Sequence, residues 1–162
     1  MKINYIFGFF VLLGLFTHQA MAAESEVSFG VGTGALYSGI GVNAGLKSEN
    51  DFKYIAAGCI GIGLSTQYGW ALPCGIGAGW IWTGLLSKED NRNGFGIYVG
   101  PVGINIGNTV NEDKARYGLG ITYVYFLNGI SSNGWNFGIT PAIGEENGNN
   151  KGSLLLNVGY LF

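Results

Sequence analysis

Few side chains in this sequence have types and spacing that support chemistry. The only histidine is His18, close to the N-terminus. Nucleophile pairs of the Ser–His and Cys–His kind, and most zinc sites, require an imidazole. A catalytic pair that uses Cys59 or Cys74 would therefore need His18 as its base. Any such site would therefore depend on His18 alone.

His18 lies in a segment that we expect to be removed. Met1-Lys2 gives a positive start, Ile6 to Phe16 is almost wholly apolar, and Ala20-Met21-Ala22 is a small-x-small cleavage site. The apolar run is too short for a membrane-spanning helix, which needs about 20 residues. We predict a signal peptide over 1–22 and one mature domain over 23–162. That domain has no imidazole, so we expect no enzyme, no metal site and no cofactor.

The charged residues are few and are gathered in loops. Two acidic pairs, Glu112-Asp113 and Glu145-Glu146, could hold divalent cations, although solvated loop charge is the commoner explanation. Lys47, Lys53 and Arg116 are predicted to face the interior, where we expect no carboxylate partner. A formal net charge of −2 argues against a nucleic-acid partner, whose backbone requires a basic surface.

Composition and periodicity predict an all-β protein. The chain is 48% hydrophobic and 11% charged, against about 25% charged in an ordinary soluble domain. Thirty glycines disfavour helices, because each interior Gly costs about 1 kcal/mol relative to Ala. Read in steps of two, the mature chain shows eight segments with one apolar face and one face of small or polar residues. These are 26–37, 39–47, 52–64, 73–86, 94–107, 115–127, 134–144 and 152–162.

Alternation alone fits either a soluble sandwich or a membrane barrel with its apolar face outward. The segment lengths match tilted strands that cross a hydrocarbon layer. If the N-terminus is periplasmic, nearly all apolar-face aromatics fall at the periplasmic end, and only Tyr37 and Tyr117 fall at the other. Rings gathered at one level are typical of a membrane–water boundary. The predicted belt consists of Phe29, Phe52, Tyr54, Trp80, Trp82, Phe95, Tyr123, Tyr125, Trp135, Phe137, Tyr160 and Phe162.

The end of the chain, LLLNVGYLF, resembles the C-terminal assembly signal of bacterial outer-membrane proteins. The residues that fill that pattern are Leu154, Leu156, Val158, Tyr160 and Phe162. By pattern rather than by identity, the mature chain resembles the small class represented by outer-membrane proteins A, X and W. The resemblance implies an eight-stranded antiparallel up-and-down transmembrane β-barrel in the outer membrane of a Gram-negative-type bacterium. It also implies lipid and lipopolysaccharide neighbours, with periplasmic chaperones and the barrel-assembly machinery as partners during biogenesis.

Two further details of the barrel are predicted from the residues. The apolar face changes phase near Gly100-Pro101, which predicts a bulge that turns Val102, Ile104 and Ile106 outward. Cys59 and Cys74 lie on neighbouring segments in an oxidising compartment, but their parity places them on opposite faces, so a disulfide and two free thiols are equally weighted.

The predicted lumen face is rich in glycine, with bulkier residues near the periplasmic end: Ile55, Ile81, Val124, Phe126 and Leu161. This pattern indicates either a cavity open to the outside or a narrow barrel filled by side chains, the second being usual for eight strands. We expect a non-enzymatic structural or surface-interaction role in the cell envelope. The alternative is a narrow channel, or a barrel that binds a small apolar ligand.

Overall fold

A computed structural model describes residues 25–61, 63–65, 69–71, 73–85, 91–105, 114–146 and 148–162. The predicted signal peptide, Glu112-Asp113 and Ile106 lie outside these residues. The described chain is almost entirely β-strand, and one 3-10 helix, Ala35–Tyr37, separates the first two strands. The strands are β1 (Glu26–Thr33), β2 (Ile40–Lys47), β3 (Asp51–Cys59), β4 (Gly63–Ser65), β5 (Gly69–Ala71), β6 (Cys74–Thr83), β7 (Asn93–Asn105), β8 (Lys114–Phe126), β9 (Gly134–Glu146) and β10 (Asn149–Leu161).

Eight of these strands form a closed antiparallel barrel, which confirms the predicted all-β, eight-stranded architecture. The order around the barrel is β1, β2, β3, β6, β7, β8, β9 and β10, and β10 pairs with β1. Strands β4 and β5 form a separate two-stranded sheet between β3 and β6. We call the end where β1 begins and β10 finishes the terminal end, and the other the far end.

The seam between β1 and β10 closes the barrel over a short distance. Four residue pairs form it, Gly30–Thr33 of β1 with Val158–Leu161 of β10. The backbone N–H of Phe162 also donates to the carbonyl of Phe29 at 2.7 Å. Strand β10 continues toward the far end past Val158, and there β9 is its only paired neighbour among the described strands.

Strand β3 has the opposite face outward from the one predicted. Phe52 and Tyr54 are buried in the lumen, so they are not belt residues, while Lys53 and Ile55 face outward. The cause is the turn before β3, where the Ser48 N–H donates to the Asp51 carbonyl and register sets Phe52 opposite the inward Lys47. Residues directly opposite each other in paired strands share a face. The turn therefore sets Phe52 inward, although the alternation of apolar residues in the sequence favours it outward.

The predicted bulge in β7 is present, but Val102, which was predicted to face outward, faces inward. The register shifts between Pro101 and Gly103, which leaves Val102 as the extra residue. Val102 is buried rather than outward, because the extra residue of a bulge is released from the ladder and can join the core. Ile104 lies opposite Ala115 on the outward side, as expected.

The connection between β1 and β2 folds into the lumen. Residues 26–37 were predicted as one strand with Tyr37 on the apolar outer face, but β1 ends at Thr33 and Tyr37 is fully buried inside. Gly34 and Gly39 exchange two backbone hydrogen bonds of 2.9 Å. Both have positive φ, at 100° and 103°, which glycine adopts without a steric penalty. The chain therefore turns inward between them, and we call residues 35–38 the plug.

Candidate functional site

The outward face of the barrel carries aliphatic side chains with no partner in the fold. On β8, for example, Leu119 and Ile121 are 64% and 68% exposed. The same holds for Ile139 and Ile143 on β9 and for Leu154 and Leu156 on β10. A monomeric soluble protein rarely exposes a contiguous apolar patch larger than a few hundred Å². A larger patch is typical of a surface that contacts a membrane or another protein.

Aromatic side chains form a ring around the terminal end of this face. Ten of the twelve predicted belt residues face outward there, and the exceptions are Phe52 and Tyr54. Neighbouring rings are in contact across β6 to β10: Trp80 with Trp82, Phe95 with Tyr123, Trp135 with Tyr160, and Tyr160 with Phe162. Strands β2 and β3 carry no aromatic residue on the outward face at this level.

The residues of the predicted assembly signal share the outward face of β10. Leu154, Leu156 and Val158 are exposed. Tyr160 and Phe162 lie on the same face and belong to the belt of aromatic residues at the terminal end. The geometry is therefore that of an amphipathic final strand with an aromatic end. Recognition of this strand by an assembly machinery stays a prediction.

No protein-family model, curated protein or solved structure matches this chain. In the described ranges, no helix is long and apolar enough to cross a membrane.

The plug is held inside the barrel by hydrogen bonds from wall side chains. Asn43 donates to the Leu36 carbonyl at 3.0 Å, and Asn157 accepts from the Leu36 N–H at 3.2 Å. Asn136 donates to the Tyr37 hydroxyl at 2.7 Å. Three wall asparagines thus replace the water that the plug's polar atoms would otherwise bind, as a buried backbone requires. These asparagines lie on the inward positions of their strands, but their spacing in the sequence does not indicate what they hold.

Glycines on the lumen wall leave the space that tyrosine rings occupy. A Cβ at Gly159 would lie 2.3 Å from the Tyr37 ring, and one at Gly100 would lie 2.4 Å from the Tyr98 hydroxyl. Tyr98 donates in turn to the Pro101 carbonyl at 3.1 Å. The glycine-rich lumen face therefore pairs with large inward side chains, and of the two predicted interiors the filled one is observed.

Charged side chains lie in the lumen near both ends of the barrel. Arg116 and Glu146 form an ion pair at 2.9 Å near the far end. Lys47, 2% exposed at the terminal end, donates to Asn133 at 3.0 Å and lies 3.9 Å from Glu26. The expectation that interior cations lack carboxylates was wrong, because β9 extends far enough to turn Glu146 inward. Lys53 was also misplaced and faces outward.

The terminal end of the lumen is closed by the connection between β8 and β9. Ile130 in this connection is fully buried and belongs to the same core as Ile81, Val124, Phe126 and Leu161. Its backbone N–H donates to the Asn91 carbonyl at 3.0 Å. Four of the five predicted bulky lumen residues are thus confirmed, and Ile55 is the exception because β3 has the opposite face inward.

Cys59 and Cys74 form a disulfide on the outward face. They lie directly opposite each other in β3 and β6, and the N–H of Ile60 donates to the Pro73 carbonyl beyond them at 2.9 Å. Cys59 faces outward, opposite to its predicted parity, because β3 has the other face outward from the one predicted. The bond ties the bases of β4 and β5 to the barrel.

We expect both thiols to be protected in the native chain. A maleimide–polyethylene glycol reagent should add nothing to denatured, unreduced protein and two adducts after reduction, because alkylation requires a free thiol. The double variant Cys59→Ser/Cys74→Ser is the control and should take no label in either state. Labelling of unreduced protein from the envelope fraction would show that the pair is not formed there.

Of the two acidic pairs predicted as cation sites, the structure describes Glu145-Glu146, and these two side chains lie on opposite faces of β9. Glu145 faces outward and is exposed, whereas Glu146 faces the lumen and binds Arg116. No cluster of three or more His, Cys, Asp or Glu side chains able to hold a metal occurs among the residues that the structure describes.

Proposed function

We propose that this chain is an integral outer-membrane β-barrel with a non-enzymatic structural or surface-interaction role in the cell envelope. It is exported by the signal peptide 1–22 and belongs with the small eight-stranded barrels that it resembles, represented by outer-membrane proteins A, X and W. Its outward face contacts outer-membrane lipid and lipopolysaccharide. Periplasmic chaperones and the barrel-assembly machinery deliver it.

The observation that carries this proposal is the aliphatic outward surface with aromatic rings at one end. On β8 the outward residues run from Tyr125 to Tyr117. The eight residue steps between them, in a strand tilted by about 40°, rise about 20 Å along the barrel axis, close to the apolar band of about 25 Å in outer-membrane barrels. Closure of the barrel also pairs the backbone N–H and C=O groups of neighbouring strands, as a lipid environment requires.

The filled interior favours a non-conducting role over the alternative of a narrow channel. The plug, Tyr98, Phe52 and Ile130 lie across the lumen at successive levels and are all buried. An eight-stranded barrel has an interior just wide enough for side chains. Among the described residues, these side chains occupy the lumen at each of these levels, which supports a barrel that does not conduct ions.

Three measurements test the proposal. We expect the mature chain to appear in the outer-membrane fraction and to migrate differently on gels before and after boiling, because a barrel resists detergent until heated. We also expect no steady unit currents in a planar bilayer. Freely water-soluble protein without heat-modifiable mobility contradicts the membrane proposal, and reproducible unit currents contradict the non-conducting role.

A further inference from the structure

The aromatic ring at the terminal end is interrupted at β2 and β3. At this level the outward positions are Ala44 and Leu46 on β2, and Asp51 and Lys53 on β3. All six other barrel strands carry aromatic residues there. Here an outward-facing ion pair lies beside an apolar surface that contains small side chains.

Lys53 has donors left for a group outside the protein. Its ammonium lies 3.1 Å from Asp51 and 4.7 Å above the ring of Trp80. Asp51 also accepts from Ser48, and from the Trp80 indole N–H at 3.1 Å. Asp51 is thus satisfied by three donors, whereas Lys53 uses one of its three N–H groups on Asp51 and remains 55% exposed.

Two adjoining apolar grooves lead away from Lys53 along the barrel wall. The first, of about 420 Å³, lies beside Lys53 and Leu46. The second, of about 490 Å³, runs between Phe29 and Ile76 and has Ala57 in its floor. Both include Ala44 and Ile55, so they meet at one point. The grooves exist because small outward residues on β2 and β3 stand between larger ones on the flanking strands.

We propose that this surface binds one phospholipid, with its phosphate on Lys53 and its acyl chains in the two grooves. The inference rests on the proposed membrane location and names a specific lipid site within it. An exposed ammonium held by Asp51 and Trp80 complements an anionic phosphate at the depth where aromatic rings mark the headgroup layer. The grooves contribute the apolar contact.

A second copy of the chain fits this surface less well than a lipid does. Two such surfaces related by a twofold axis would face groove to groove and bring one Lys53 toward the other. Concave faces leave voids that lose dispersion contacts, and like charges repel. A flexible acyl chain instead follows a shallow groove and brings the opposite charge with its headgroup.

Native mass spectrometry of the detergent-solubilised full chain, titrated with phosphatidylglycerol, tests the site. We expect one lipid per chain for the wild type. Lys53→Gln should weaken binding about fivefold, the upper range for an exposed ion pair. Ala57→Phe should fill the larger groove and reduce the adduct to the nonspecific background. Two matched controls on β8, Lys114→Gln and Ala115→Phe, should bind as the wild type does.

The outcomes separate this inference from the membrane proposal. Equal lipid retention in Lys53→Gln, Ala57→Phe and the wild type overturns the lipid site, and so does equal loss in the two controls. A dimer that Ala57→Phe abolishes, with no lipid adduct, overturns it in favour of self-association. In each case, heat-modifiable mobility of the same samples reports independently whether the barrel itself is intact, so a failed site is not mistaken for a failed barrel.

Discussion

Replacing Gly159 with valine is expected to destabilise the barrel by about 3 kcal/mol, near the upper end for overpacking. A Cβ at this position would lie 2.3 Å from the Tyr37 ring, whose hydroxyl accepts a hydrogen bond from Asn136 on the paired strand. The ring must leave its place, and the plug loses a hydrogen bond. Urea unfolding in lipid vesicles, followed by tryptophan fluorescence, measures the change.

The same strand supplies a control for this prediction. A Cβ at Gly152 meets no atom within 4 Å, so Gly152→Val should leave the free energy of unfolding nearly unchanged. Adding Tyr37→Ala to Gly159→Val should recover part of the lost stability, because the ring that the new methyl groups displace is gone. Equal stability of the two valine variants would show that Tyr37 does not pack against Gly159.

Placing an arginine at Ile121 should cost about 2–4 kcal/mol in lipid, the range for a cation at the bilayer midplane on the outside of a barrel. Ile121 is 68% exposed in the fold, near the middle of β8. In a water-soluble protein, a substitution at so exposed a position changes stability by less than about 0.5 kcal/mol. Unfolding in vesicles therefore distinguishes the two environments through a single side chain.

Glu145→Arg is the control for this substitution. Glu145 also faces outward, but it lies at the far end of β9, where the same cation should cost about 0–1 kcal/mol. A similarly small cost at Ile121 would be incompatible with acyl chains around the middle of the barrel. Folding of both variants in buffer without lipid would also contradict a membrane around the barrel.

Sequence reasoning identified the strands and faces wherever alternation was long and unambiguous. Tyr117 to Tyr125 on β8 and Leu154 to Phe162 on β10 face as predicted, and the β7 bulge lies beside Pro101. In these strands large outward residues alternate with glycine or small polar ones. A one-residue slip would reverse every side chain, so the pattern specifies the register strongly.

Sequence reasoning failed where local geometry opposed the pattern. In β3 both faces contain apolar residues, so the Ser48–Asp51 turn decided that Phe52 faces inward. The error then carried over to Lys53 and Cys59. The plug was missed because Ala-Leu-Tyr extends an apolar alternation, and the signal against a strand was the pair Gly34 and Gly39. Asparagines that hold a plug have no recognisable spacing, since their partners become neighbours only in the closed barrel.

The short seam between β1 and β10 determines how the molecule can assemble. Every other junction joins strands that are close in sequence, with only β4 and β5 inserted between β3 and β6, so each can form as a hairpin. The seam joins the first strand to the last, and only four pairs offset the entropy of bringing them together. Until the seam forms, the sheet has two unpaired edges, and each can form backbone hydrogen bonds with any extended chain. The barrel must therefore close quickly, or its edges must be covered until it closes.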